Sequence, residues 1–294
     1  MDFMKLGKYK EGKDYSGWIV QRKLDGVFAA LNIKDGVLYS RTQRPLYIPK
    51  DSELEDNLAV LATAYDSDKV DFLLFELCAP NISLEQLSGL VSPNRKEPWS
   101  EEELKIKFNF GIHDAIKLNN GEDAKPYEER YKLALDGTSL YPGVYNAFSE
   151  KLEKDFEERL EGIFEYEVKI GSEGIVLKDP AAPYRMGKRA NFQLKRVREH
   201  LEDVKIEEVK YGNGKRAGQL GSFYCRSVDN PEVTFWADLG KSWDDEKRIQ
   251  LTKDFESGSK DLIGSIWTVR GLQPSSTGKS IRLPKLMYER FDKE

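Results

Sequence analysis

Residues 70–79 form a nearly continuous apolar run, interrupted near its end by Glu76. The run is too short for a membrane helix, which needs about 18–20 apolar residues. Its lack of alternation predicts a strand buried on both faces. Such a strand needs neighbours, and the flanking sequence supplies them. Segments 17–21, 27–32 and 36–40 are β-rich, the last two joined by the turn Lys34-Asp35-Gly36. Apolar residues recur at helical spacing over 54–64, and Ser83 stands three residues before Gln86, the pattern of a capping box for a short helix over 83–90. Residues 105–115 read as a strand ending at His113-Asp114, and 127–135 and 147–161 as helices. Short strands are expected at 164–168 and 175–177, bracketing Gly171-Ser172-Glu173-Gly174. The expected class is α+β, antiparallel sheets with flanking helices.

Past residue 198 the pattern changes. Strand-like segments at 204–211, 222–226, 233–237 and 265–271 alternate with Gly-rich turns, with one helical segment over 244–255. Short strands plus one helix suit a small barrel of the oligonucleotide-binding (OB) type. Two domains are therefore expected, 1–198 and 199–294.

Composition narrows the function classes. The 294 residues are 39% hydrophobic and 33% charged, as in soluble globular proteins. The first twelve residues are too polar for a signal peptide, and no apolar run reaches membrane-span length. Cys78 and Cys225 lack CxxC spacing and read as reduced structural thiols. A cytoplasmic protein without a membrane partner is expected (host cytoplasm if the chain is phage-encoded). A net charge of −5 argues against a protein that coats nucleic acid. Residues 185–226 nevertheless hold eleven Lys/Arg against five Asp/Glu, a local positive strip.

The sharpest chemical motif is Lys23-Leu24-Asp25-Gly26. Alone it fits a hairpin better than an active site, because Asp-Gly is a common tight turn. What changes the reading is a set of downstream elements in fixed order. These are Ser40-Arg41, Phe75-Glu76-Leu77, His113-Asp114, Glu173-Gly174-Ile175-Val176-Leu177-Lys178 and Gln193-Leu194-Lys195, followed by Arg282-Leu283-Pro284-Lys285-Leu286 and Arg290-Phe291-Asp292-Lys293. In this order the chain resembles the covalent nucleotidyltransferases, and within them the ATP-dependent DNA ligases, over essentially its whole length.

The resemblance implies a nucleotidyltransferase (adenylation) domain followed by an OB-fold domain, sealing 3′-OH/5′-phosphate nicks in duplex DNA through lysyl-AMP and DNA-adenylate. It implies ATP and nicked DNA as partners, Mg²⁺ as the metal with Mn²⁺ as a substitute, and a monomer. Lys23 would be the nucleophile. A lysine attacks poorly at neutral pH unless neighbouring positive charge or desolvation assists, a role for Lys178 and Lys195. Gln21, Arg22, Arg41, Glu76, His113 and Glu173 would complete the nucleotide site, with Gln21 reading the adenine amino group and His113 stacking on the base. Glu76 would hold the ribose, and Glu173 together with Glu76 offers hard oxygens for a metal. On the barrel, Arg282, Asp292 and Lys293 would orient the triphosphate in the first step, with Arg290 a less defined member. Residues near Arg198 would form the hinge.

Three positions depart from the family pattern. Phe28 replaces an arginine that grips phosphate, with Arg41 or Arg44 as the expected substitute. Leu74-Phe75 replaces an acidic-Gly pair. Gln193 replaces the first lysine of a K-x-K element and Phe192 its usual tryptophan, leaving Lys188, Arg189 or Arg196 to restore the charge. The start of the chain close before Lys23 and the short connection 211–221 resemble minimal, latchless phage and bacterial ligases. Arg44, Lys188, Arg189, Arg196, Arg198, Lys215 and Arg216 are the expected contacts to DNA phosphates, which carry no sequence information. The competing readings are an RNA ligase or mRNA-capping guanylyltransferase, and a non-catalytic nucleic-acid-binding OB protein.

Overall fold

The computed structural model describes residues 1–294 except 138–142, 147, 241–242, 273, 275–277 and 293–294. It divides into two units, Met1–Val197 and Arg198–Glu294.

In the first unit the chain runs through β1 (Lys5–Lys8), β2 (Ile19–Lys23), β3 (Val27–Asn32), β4 (Leu38–Tyr39), α1 (Glu53–Thr63) and β5 (Phe72–Cys78). It continues with α2 (Leu84–Leu90), β6 (Asn109–Ile116), β7 (Glu122–Asp123), α3 (Tyr127–Asp136), β8 (Val144–Asn146) and β9 (Ser149–Lys151). The unit ends with α4 (Phe156–Lys169), β10 (Gly174–Lys178), β11 (Tyr184–Arg185) and β12 (Arg189–Val197). Two five-stranded sheets result, β1-β12-β10-β2-β9 and β4-β3-β5-β6-β8, besides the small β11-β7 pair. Both are mixed rather than purely antiparallel, since β1 joins β12 and β8 joins β6 in parallel.

The period-2 alternation of the strands decides what each sheet face does. In the second sheet Ala29, Leu31, Leu73, Phe75 and Leu77 face a core closed by α1 and α2 through Leu54, Leu58, Leu61, Leu87 and Leu90. α2 starts at the expected capping box, Ser83 Oγ accepting from Gln86 N at 3.2 Å and Ser83 N donating to Gln86 Oε1 at 2.9 Å. In the first sheet Val20, Ile175, Leu177 and Leu194 pack against Phe156, Leu160 and Ile163 of α4. The opposite faces of the two sheets share a smaller cluster around Phe3, Met4, Ala30, Leu74, Tyr184 and Met186.

The expected helix over 147–161 and strand over 164–168 are both corrected. Residues 149–151 form β9 on the edge of the first sheet, and α4 runs through the supposed strand. The positions that α4 buries, Phe156, Leu160, Ile163 and the ion-paired Glu167, are three and four apart, so the helical period extends past residue 161. β1, β12 and the last barrel strand were not anticipated, because charged residues interrupt their apolar positions and much of each is half exposed.

The second unit comprises β13 (His200–Tyr211), β14 (Leu220–Ser227), β15 (Thr234–Leu239), α5 (Asp245–Glu256), β16 (Ile266–Gly271) and β17 (Lys285–Glu289). The strands close in the order β13-β14-β15-β17-β16, with only β15 and β17 parallel. This is the connectivity of a five-stranded OB barrel with its helix between the third and fourth strands. Val204, Ile206, Phe223, Cys225, Phe235, Trp267, Val269 and Leu286 fill it. No described helix is long and apolar enough to cross a membrane.

Candidate active site

A pocket of about 690 Å³, its open mouth included, lies between the two sheets of the first unit. One wall is the face of the first sheet turned away from α4. Register places Lys23 opposite Gly174, Gln21 opposite Val176, and Val176 opposite Lys195; Lys178 stands opposite Gln193. Gln21, Lys23, Lys178, Gln193 and Lys195 therefore share one face across three neighbouring strands. Lys23 Nζ lies 2.5 Å from Glu173 Oε2, with side chains 15% and 10% exposed. Two glycines beside this pair let neighbouring strands close in, β12 on β10 and β5 on the turn after β2. A Cβ at Gly174, whose φ is +140°, would lie 2.2 Å from Arg196 O, and one at Gly26 would lie 2.4 Å from Leu77 O. Burial, then the charge of Lys23, pulls the Lys195 ammonium below its ordinary value, while Glu173 opposes the shift.

The other wall is the second sheet, where Phe28 pairs with Glu76 and both face the pocket. Pairing between β5 and β6 runs from Leu74–Asp114 to Phe75–Ile112, so His113 is an extra, bulged residue. The bulge brings two successive residues, His113 and Asp114, to the pocket side. His113 Nε2 lies 3.2 Å from Glu76 Oε2. Burial lowers the imidazole pKa, so His113 is neutral at pH 7 and donates to the carboxylate. Burial works against the charge on Glu76, but the His113 hydrogen bond and the charges of Lys23 and Arg41 outweigh it and hold the carboxyl below its usual range.

Lys178 is strongly perturbed. It is 4% exposed, and desolvation pushes its pKa down to about 7 despite Asp114 nearby. Its Nζ donates to Tyr127 Oη at 2.9 Å and His113 O at 3.3 Å, and lies 4.4 Å from the Tyr127 ring centroid. Beneath it Arg130, fully buried, grips Asp114 through two bonds of 3.0 and 3.1 Å and also donates to Ala182 O at 3.0 Å. That pair fixes α3 to the bulge. Tyr127 and Arg130 support the pocket and were missed, while Gln193, read from the sequence as a departure from the motif's lysine, lines it. Tyr127 and Arg130 lie on a helix whose apolar stripe looked like plain core, and a pairing across 16 residues leaves no local signature.

A family model for the ATP dependent DNA ligase domain matches residues 8–196. The chain belongs to the ATP-dependent DNA ligase family. It is 34% identical over 258 residues to a DNA ligase of Cenarchaeum symbiosum, covering 80% of this chain. It spans 30, 34 and 41% of the curated DNA ligases of Haloarcula marismortui, Methanocella arvoryzae and Cenarchaeum symbiosum. Its fold is that of a Lig E DNA ligase (TM-score 0.74, 17% identity, 99% of this chain and 100% of that one). It also matches the bacteriophage T7 ATP-dependent DNA ligase in complex with ATP (TM-score 0.54, 16% identity, 98% of each).

Within the family frame, the departure at Phe28 has a structural answer. Arg41, also in the pocket, lays its guanidinium 3.8 Å from the Phe28 ring centroid and donates to Met4 O at 2.8 Å. A cation thus occupies the neighbourhood of the missing arginine. Arg44 instead points its guanidinium to Asn94, at 2.5 Å.

Two expected site residues fall on the wrong face. The Arg22 guanidinium binds Glu167 of α4 at 2.7 Å, and Glu167 also accepts from Ser172 Oγ at 2.7 Å. Only the main chain of Arg22 is left to serve the pocket. Arg196 binds Glu161 of α4 at 2.7 Å and covers the Phe164 ring at 4.1 Å. Both alternate with pocket residues, so their side chains are structural. Arg189 donates to Leu6 O at 2.8 Å and is exposed like Lys188.

On the barrel, Arg290 is the centre of a network, bonded to Asp203 at 2.7 Å and to both carboxylate oxygens of Asp292 at 2.8 Å. Asp292 is thereby held by a residue given a minor role from the sequence. Arg282 precedes Leu283, whose φ is +50° although Pro284 follows, a conformation that pre-proline residues avoid. Lys293 lies outside the described residues. Arg216 pairs with Asp245, while Lys215 and Arg198 are exposed.

Two carboxylates, Glu173 and Glu76, are the hard donors nearest the nucleophile. The described residues hold no cluster of three His, Cys, Asp or Glu side chains able to cage a metal. That donor set suits Mg²⁺, which is bound through one or two carboxylates with water and phosphate completing the shell.

Proposed function

We propose that the chain is an ATP-dependent DNA ligase that seals nicks in duplex DNA, with residues 1–198 as the adenylation domain and 199–294 as the OB-fold domain. The observation that carries this is Lys23, at the end of its strand, facing a pocket with Lys195, Lys178, Glu173, Glu76 and Gln21 around it. Lys23 Nζ attacks the α-phosphorus of ATP. A P–N bond forms, the P–O bond to the β-phosphate breaks, and pyrophosphate leaves. Glu173 is placed to take the proton that Nζ sheds, since its Oε2 is the atom hydrogen-bonded there. Lys195 and Lys178 stabilise the charge growing on the phosphate. Glu76 meets the ribose and, with Glu173, would hold Mg²⁺ or Mn²⁺, which would screen the charge of the triphosphate. Arg41 takes the place of the absent arginine at Phe28 in holding the 5′-phosphate of the nick, onto which AMP is passed before the 3′-OH displaces it.

Arg282, Asp292 and Lys293 act in the first step only. Lys188, Arg189, Arg198 and Lys215 contact the DNA backbone. The protein works as a monomer in the cytoplasm, a reading to which its two unpaired thiols are suited.

The test is a 5′-labelled nicked duplex incubated with the protein, ATP and Mg²⁺, in parallel with a nicked RNA duplex and with GTP. Sealing of DNA with ATP supports the proposal. Sealing of RNA alone, or covalent capture of GMP, would replace it with an RNA ligase or a capping guanylyltransferase. No reaction with any of these would leave a binding protein.

A further inference from the structure

The inference concerns how the pocket chooses its base, and it rests on the proposed reading of that pocket as an ATP site. Gln21 is 2% exposed and lines the pocket. A buried glutamine beside a purine is ambivalent. Its carbonyl can accept from a 6-amino group, and its amide nitrogen can donate to a ring nitrogen or a 6-oxo group. Left free to turn over, it would tolerate adenine and hypoxanthine alike.

Here it is not free. Tyr127, fully buried on α3, places its hydroxyl 3.2 Å from Gln21 Oε1. The Tyr127 hydroxyl oxygen itself accepts from Lys178 Nζ at 2.9 Å. A lysine at that position supplies hydrogens, so the phenol must send its own hydrogen elsewhere, to Gln21 Oε1 or to His113 O, also at 3.2 Å. His113 O already takes a hydrogen from Lys178 at 3.3 Å, whereas Tyr127 is the donor that Gln21 Oε1 has among the described residues, so the phenolic hydrogen goes to Gln21. Burial raises the Tyr127 pKa, so the hydroxyl keeps that hydrogen at any working pH. The result is a fixed chain of donors, from Lys178 through Tyr127 to the Gln21 carbonyl. At its end Gln21 Nε2 is buried with no partner. A buried donor without an acceptor is destabilising by about 1–3 kcal/mol, and because Gln21 lines the pocket a ligand atom there would satisfy it.

We propose that Tyr127 is a specificity-determining positioning residue: its hydroxyl pins the Gln21 amide so that Nε2 offers a single donor to the N1 lone pair of adenine. In hypoxanthine and guanine N1 carries a hydrogen, and two donors would face each other. Tyr127 touches neither the base nor the phosphate; it acts through Gln21. The amide is then read the other way round from the sequence-based expectation, in which it accepted from the adenine amino group.

The test measures covalent self-labelling with α-labelled ATP and with α-labelled inosine triphosphate, which has the same outline as ATP but the reversed N1 and 6-position chemistry. The wild type is expected to favour ATP by about 10- to 100-fold in kcat/KM, the discrimination usual for such contacts. In Tyr127→Phe the ratio falls to within about threefold. Gln21→Ala collapses the ratio equally, and adding Tyr127→Phe to Gln21→Ala changes it no further, the non-additive signature of residues acting through one another. A purely structural Tyr127 would lower both rates together and leave the ratio intact, which would overturn the inference. So would a wild type that labels equally with the two nucleotides, a result that leaves the ligase reading standing. No labelling of the wild type with either would bring down both.

Discussion

The two faces of the β2-β10-β12 sheet are built from the same strands and the same residue types, yet they do different work. On one face Lys23, Lys178 and Lys195 converge on a pocket. On the other, Arg22 and Arg196 are spent on Glu167 and Glu161 of α4. Lys23 follows Arg22 directly, and Lys195 precedes Arg196. Parity along a strand, rather than charge or motif membership, separates a cation turned to the pocket side from one paired with a helix. Pocket cations carry the burden of burial, seen in the lowered pKa of Lys178 and Lys195, whereas helix-face cations are offset by carboxylates.

The largest expected effect breaks the comparison at its sharpest point. Lys23→Ala should abolish nick sealing, a loss of at least about 10⁴-fold, while Arg22→Ala folds less stably and still seals; equal loss in both would erase the distinction between the faces. Next, Arg130→Ala leaves Asp114 buried and unpaired beneath the pocket floor. A loss of about 3–5 kcal/mol in denaturant unfolding is expected, and a loss under about 1 kcal/mol would mean that the pair does not hold α3 to the bulge.

Lys178 gives a smaller effect with a defined sign. Its folded pKa of about 7 lies below the ordinary 10.5, so between those values the unfolded chain binds more protons than the folded one. Wild-type stability relative to Lys178→Met should therefore rise with pH across that window, by up to about 1.4 kcal/mol per unit, and should be level below it. A difference that stays constant with pH from 6 to about 10 would show that the lysine is not desolvated. Smallest of all, Arg196→Ala should cost at most about 1 kcal/mol and leave the salt dependence of DNA binding unaltered. A shallower slope would return Arg196 to the DNA contacts.

Much of this was legible in the sequence, for reasons that can be named. A continuous apolar run revealed β5, β-rich segments revealed β3 and the barrel, helical spacing revealed α1, and Ser83 with Gln86 marked the start of α2 to the residue. The ordered elements around Lys23, Glu76, Glu173 and Lys195 led to residues that the fold brings together. What escaped was long-range or parity-dependent. The His113 bulge adds one residue to a strand and leaves no trace in composition. Arg22 was assigned to the nucleotide site, although its place next to Lys23 in a strand turns its guanidinium to the opposite face, onto Glu167. Tyr127 lies far in sequence from Gln21 and Lys178, and only the packing of α3 against β6 joins them. Helix α4 was split because its polar residues masked a period that continued through Ile163 and Glu167.

The central claim is that Lys23 itself becomes covalently joined to AMP. It is tested most directly by incubating the protein with ATP and Mg²⁺, digesting it, and locating the adduct by peptide mass spectrometry. The account predicts one AMP per chain, on Lys23, released by acid and absent when pyrophosphate is in excess. An adduct on Lys178, Lys195 or any other residue, or a chain that remains unmodified, would contradict it.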